Sequence, residues 1–169
     1  VPSADVWFYD LVDGEAGDWV ADPPLHTERA NPSAVVVDGS VYVFGGASDI
    51  ATMAGSVEVL AADAIAWVER EPMGTPRQSM AAAFYAGRIY AAGGFPAPPG
   101  DGALYGTDLV ESYDPLGDAW RSEAPLANAR GQFGAGVLEG CLVSVGGYSS
   151  IAHTDVVEGY DASLQAWSA

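Results

Sequence analysis

The chain has 169 residues, with 23 acidic side chains against six Arg and no Lys, a formal net charge of −17. It carries no basic patch of the kind that nucleic acid or an anionic membrane needs, and the plain reading is a solvated acidic exterior. One Cys leaves no internal disulfide, no apolar run is long enough to span a bilayer and no leader stretch is recognisable, so the chain reads as soluble with its compartment unassigned.

A module of fixed length recurs, which is the mark of a repeat architecture. Each copy runs Trp, Pro five residues on, Leu or Met at six, Arg at ten, Gly at twenty and Gly-Gly at twenty-six and twenty-seven. The copies span residues 19–46, 67–94 and 120–147, and Trp167 opens another. The Trp-to-Trp spacings are 48, 53 and 47, and all the variation falls after Gly-Gly. The first part is therefore a rigid unit and the remainder a tolerant loop.

In chain order, residues 6–22 read as a two-strand stub closed by the Trp19 segment. Ser33–Val37 is a first strand, starting with small residues as expected where units crowd around an axis. Asp38-Gly39 is a tight turn, with Gly supplying positive φ. Residues 41–44 form a strand apolar on both faces, Val57–Leu60 a third strand after the loop, and Trp67 opens a fourth. The same order recurs as Ala81–Tyr85, Ala86-Gly87, 89–92, 110–113 and Trp120. It recurs again as Gly134–Leu138, Glu139-Gly140, 142–145, 157–160 and Trp167. No segment keeps a helical period. Four antiparallel strands per unit, repeated radially, make a β-propeller blade.

The pattern resembles the kelch-repeat family, whose repeat sets Gly-Gly after an apolar strand, then Tyr, then Trp. The marks here are Gly45-Gly46 with Trp67, Gly93-Gly94 with Tyr113 and Trp120, and Gly146-Gly147 with Tyr160 and Trp167. Tyr9-Asp10, Tyr113-Asp114 and Tyr160-Asp161 fit as well. Leu60 stands where Tyr is expected and Val143 replaces the strand Tyr, both within apolar slots. The resemblance covers essentially the whole chain. It implies an all-β kelch-type propeller segment: a half blade at 1–22, then blades at 23–71, 72–124 and 125–169, the last with its outer strand cut short. Propellers close with about four to eight blades. The chain therefore reads as an excerpt whose partners include further blades of the same polypeptide, in preference to a second copy completing the ring.

Arg29, Arg77 and Arg130 recur at the entrance of the innermost strand. They could form a ring of cations for an anionic ligand. Glu58, Glu111 and Glu158 recur in step with them, which favours an Arg–Glu staple in every blade. The repeated Trp and Tyr read as core by the same reasoning. Specificity should then lie in what differs between blades. The resemblance implies a ligand face made by the loops after Gly-Gly and by those around the motif Arg. Carried over position by position, it is lined by Asn31, Ser79 and Gln132 near the Arg, and by Ser48, Phe95, Tyr148, Ser149 and His153 after Gly-Gly. Aromatic and neutral hydrogen-bonding groups of this kind suit a peptide segment or a sugar.

His26 reads as a surface polar group. The acidic run Asp10, Asp13, Glu15 and Asp18 lacks the spacing of a calcium loop and reads as a solvated turn. Copper oxidases that share the implied fold need two His, two Tyr and a Cys cross-linked to Tyr. Cys141 aligns with Ser40 and Arg88 at a strand start and completes no such set. No Ser/His/Asp constellation, zinc spacing or phosphate loop is present, and no cofactor is expected. The expected function is a non-catalytic kelch module that binds a protein segment through its loop face. The alternative is a carbohydrate-active propeller: sugar-binding, sialic-acid epimerase-like or copper oxidase-like.

Overall fold

The computed structural model describes residues 1–10, 17–49, 51–98, 103–149 and 151–168. Asp13 and Glu15 of the acidic run, Pro99, Gly100 and Asp101 of the loop that follows Gly93-Gly94, and Ser150 lie outside the described residues. The described part contains strands and no helix. Among the described residues no helix is long and apolar enough to cross a membrane.

β1 (Val6–Asp10) and β2 (Asp18–Asp22) pair only with each other. The first full blade is β3 (Ser33–Val37), β4 (Ser40–Phe44), β5 (Val57–Leu60) and β6 (Val68–Arg70). A two-residue β7 (Arg77–Gln78) precedes the second blade, β8 (Ala81–Tyr85), β9 (Arg88–Ala92), β11 (Val110–Asp114) and β12 (Ala119–Ser122). β7 pairs with β10 (Phe95–Pro96), a small sheet that the repeat pattern did not announce. The third blade is β13 (Gly134–Leu138), β14 (Cys141–Val145), β15 (Val157–Asp161) and β16 (Ala166–Ser168). Every blade is an antiparallel meander in chain order.

The inner hairpins explain why the second strands begin one residue earlier than their apolar runs. Val37 pairs with Ser40, Tyr85 with Arg88 and Leu138 with Cys141. This leaves two-residue turns in which Asp38, Ala86 and Glu139 take φ of 48°, 49° and 50° and the following Gly residues 78°, 80° and 79°. Positive φ at both central positions is the turn whose twist matches paired strands.

The core sits at the seams between blades. At the first seam Val37, Phe44, Val57 and Val59 pack on Met80, Ile89, Ala91 and Tyr113. At the second, Ala83, Tyr90, Ala92 and Val110 pack on Leu142, Tyr160 and Trp167. The motif Trp residues stitch the outer edge of each unit to the one before. Trp67 Nε1 donates to Pro23 O at 2.8 Å, Trp120 Nε1 to Glu71 O at 2.9 Å and Trp167 Nε1 to Ala124 O at 3.1 Å. A buried indole finds its one partner in this way.

Candidate functional site

The motif Arg residues anchor the face that carries the loops. Arg29 Nη2 lies 2.6 Å from Glu58 Oε1, Arg77 pairs with Glu111, and Arg130 Nη2 lies 2.6 Å from Glu158 Oε2. All three Arg are buried. They also donate to loop carbonyls: Arg29 Nη1 to Gly45 O at 2.9 Å, Arg77 Nε to Gly93 O at 2.8 Å, and Arg130 Nη1 to Asn128 O at 3.0 Å. Burial lowers the Arg77 pKa, and its bond to Glu111 opposes that shift. These cations fasten the loop to their own blade and offer no open ring to an anion. The third pair is close but not aligned as a hydrogen bond; Arg130 Nη2 instead donates to Ser144 Oγ at 2.8 Å. Its guanidinium also stacks 4.8 Å above the Phe133 ring.

Two residues after each Arg the backbone turns left-handed. Asn31, Ser79 and Gln132 have φ of 51°, 55° and 56°. Ser79 N donates to Asn31 O at 3.0 Å, and Gln132 N to Ser79 O at 2.9 Å. A backbone ladder therefore crosses both seams, with these residues as consecutive rungs. Asn31 and Gln132 are exposed and Ser79 is half-buried. Asn31 Nδ2 also donates to Gln78 Oε1 at 2.9 Å, and this brings in a residue the sequence reading had passed over. The same backbone thus presents an amide, a hydroxyl and an amide in succession.

The loop residues divide into two groups. Ser48 is exposed at a tip closed by its N–H to Thr52 O at 3.1 Å, and Ser149 N closes the matching tip on Ala152 O at 2.9 Å. His153 is exposed, its ring 5.3 Å from that of Tyr148. Tyr148 is half-buried and exchanges backbone bonds with Gly131 at 2.8 and 3.0 Å. Phe95 departs from the expectation of an open lining residue, being only 3% exposed. The residue after Gly-Gly pairs with the residue after the Arg of its own blade: Ala47 with Ala30, Phe95 with Gln78, Tyr148 with Gly131. In the second blade the side chain placed in this way reaches the third. The Phe95 ring lies where a Cβ on Gly131 would be. Gly131, standing where the other blades carry Ala30 and Gln78, was the available sign of this slot.

His26 is half-exposed, and its backbone N–H, with that of Thr27, donates to Glu58 at 2.6 and 3.1 Å. A polar web in the second blade was not foreseen. Arg88 Nε donates to Ser112 Oγ at 2.6 Å, Ser112 Oγ to Glu123 Oε1 at 2.5 Å, and Arg121 Nε to the same oxygen at 2.7 Å. Cys141 is an exposed free thiol. Among the described residues no group of three or more His, Cys, Asp or Glu could hold a metal ion.

Comparison with known proteins agrees with this geometry. The family described as Kelch motif matches residues 76–127. Kelch-like protein 4 of Homo sapiens is 41% identical over 61 residues, 36% of this chain and 8% of that protein. Kelch-like protein 23 of Mus musculus is 38% identical over 63 residues, 36% of this chain and 11% of that protein. The chain therefore spans only about a tenth of the length of these relatives. Among solved structures, that of YjhT superposes with a TM-score of 0.72 at 16% identity, covering 87% of this chain and 52% of that one. At that identity the likeness concerns the fold.

Proposed function

We infer that this chain, which belongs to the kelch-repeat family, is a binding and scaffold module that recognises a protein segment on the face carrying Asn31, Ser79 and Gln132. The observation that carries the reading is the ladder: one repeated backbone, fixed by buried Arg–Glu pairs, holds three side chains that the repeat leaves unspecified. Neutral donors and acceptors at a regular step suit the amides of an extended peptide, while the charged groups beneath are already paired. Ser48, Ser149 and His153 stand at the loop tips around this rim and extend the contact surface. The module is read as non-catalytic because its recurrent titratable residues are consumed in the staples. A sugar would want an aromatic platform, and Phe95 is turned into the seam.

The test strips the rim without disturbing the backbone. Gly accepts left-handed φ freely, which offsets the bond that Asn31 gives to the buried Gln78, so Asn31→Gly, Ser79→Gly and Gln132→Gly together should lower the melting temperature by no more than a few degrees. Peptides selected from a random display library against the parent chain should bind the triple variant about tenfold or more weakly. Undiminished peptide binding would remove the site. Retention of glycans on an array, with no peptide selected, would favour the carbohydrate alternative.

A further inference from the structure

The second and third blades differ at the end of their strands away from the loop face. In the second, Arg88 opens β9 and lies across its own blade. Its Nη2 donates to Ser112 O at 2.9 Å and to Ala119 O at 3.4 Å, and its Nη1 stands 3.5 Å from Asp114 Oδ2. In register, Cys141 stands where Arg88 does, Gly159 where Ser112 does, Asp161 where Asp114 does and Ser168 where Arg121 does. Two arginines and a serine have become a thiol, a serine and a glycine, while the carboxylate has stayed. The shorter side chains leave a hollow of about 420 Å³, bordered by these four residues of the third blade with Tyr85 and Tyr160.

The carboxylate keeps the pose in which its counterpart meets Arg88. Asp114 Oδ1 accepts from the backbone N–H groups of Leu116 and Gly117 at 2.9 and 3.1 Å, which leaves Oδ2 for the guanidinium. Asp161 Oδ1 likewise accepts from Ser163 N, Ser163 Oγ and Leu164 N at 2.8, 2.6 and 3.1 Å. Among the described residues nothing donates to its Oδ2. The bonds to Ser163 and Leu164 hold the carboxyl below its ordinary range, so it is charged at neutral pH. In the first blade Ser40, Val59, Ala61 and Val68 stand at the four places and carry neither charge. The acid is thus present with its cation in the second blade, absent with it in the first, and present without it in the third.

We propose that the hollow is a binding site for a guanidinium group, seated where the second blade seats Arg88. Asp161 Oδ2 and the Gly159 carbonyl accept its N–H groups, and the stem that carries it lies against Tyr85 and Tyr160. A planar, weakly hydrated fork fits a carboxylate and a carbonyl set side by side, and aromatic borders favour it further. Asp161 repels an anion, and a hard metal ion would find one carboxylate where it needs several oxygens. Within a packed seam Arg88 and Asp114 keep 17% and 37% of their side chains exposed, so this strip remains open to solvent where one blade covers another. The site is separate from the loop face, since Cys141 begins β14 and Gly146-Gly147 follow its far end.

N-acetyl-arginine methylamide is titrated into the chain at about 0.15 M salt, which screens the general attraction of an acidic surface. The amide NMR signals of Gly159, Ser163 and Ser168 are expected to shift and saturate. The corresponding lysine derivative should bind about tenfold more weakly, being a point charge without the fork. Asp161→Asn keeps an oxygen to close the turn. It should melt within a few degrees of the parent and weaken binding about tenfold. Cys141→Arg supplies the guanidinium from the chain itself, so it should abolish the saturable shifts and raise the melting temperature. Tighter binding of the capped derivative than of free arginine makes a protein side chain the source of the group, and the reverse order makes it the free amino acid. Equal affinity for the lysine derivative overturns the proposal, as does binding that survives Asp161→Asn or Cys141→Arg undiminished.

Discussion

Gly93 and Gly146 fill the same place in the repeat, with φ of 61° and 72°, but different neighbours demand them. A Cβ on Gly93 would run into Arg130 O and stand 2.6 Å from the Phe133 ring, so the next blade forbids it as well as the backbone. Gly146 meets no such neighbour, and only its left-handed φ opposes a side chain. Gly146→Ala should therefore cost about 1 kcal/mol, the usual penalty for Ala at positive φ. Gly93→Ala should cost about 3 kcal/mol or more, since a seam must open to admit it. Urea unfolding of the two variants measures the difference. Equal losses would mean that the Arg130 carbonyl can move aside cheaply and that the seam is looser than its hydrogen bonds suggest.

At the scale of the element, Phe95 and Tyr148 separate what pattern can tell from what only packing can. Phe95→Ala removes a ring buried between two blades and should lower stability by about 3 kcal/mol. Tyr148→Ala, at the equivalent but half-buried position, should cost less than about 1 kcal/mol. Thermal melts compare them, and a Phe95 variant that melts like the parent would return that ring to the ligand face. The strands themselves were legible, because each inner hairpin is an apolar run between a fixed turn and a fixed Gly-Gly. Ser33–Val37, Ala81–Tyr85 and Gly134–Leu138 fall where the pattern places them. The Arg–Glu staples were legible for a related reason: two opposite charges recurring in step have to satisfy each other in every copy. The direction of the Phe95 side chain left one sign, the missing Cβ of Gly131, but that sign sits in another blade and gains meaning only once the two blades are packed together. The web of Arg88, Ser112, Glu123 and Arg121 was hidden because it occurs in one blade and leaves no periodic trace. Of the rim, Asn31, Ser79 and Gln132 were found by position, but nothing in the sequence foretold the ladder that joins them.

Over the whole molecule, the staples decide how the net charge of −17 is distributed. Three of the six Arg are buried against Glu58, Glu111 and Glu158, so the outward charge is almost wholly negative. A field of one sign destabilises the compact state through self-repulsion. Salt screens it, with a Debye length of about 10 Å at 0.1 M and about 3 Å at 1 M, while the buried pairs are screened much less. Acid is a poorer probe of the same effect. Backbone N–H groups of Gly117 and Leu116 hold the Asp114 pKa below its ordinary value, and bonds from Ser163 and Leu164 do so for Asp161. A carboxylate with a depressed folded-state pKa contributes stability above the unfolded value of 3.8 and loses it as pH falls through the folded one, so acid weakens these turns while it relieves the repulsion. Sodium chloride leaves the turns charged and acts chiefly on the repulsion, because the exposed attractive pairs, Arg88 with Asp114 and Arg121 with Glu123, are few beside the acidic excess. Raising it from about 0.01 M to about 1 M at neutral pH should lift the calorimetric melting temperature by about 3 °C, the shift expected for roughly 1 kcal/mol in a domain of this size. A melting temperature that stays level or falls would mean that the acidic side chains are spaced widely enough for water alone to screen them.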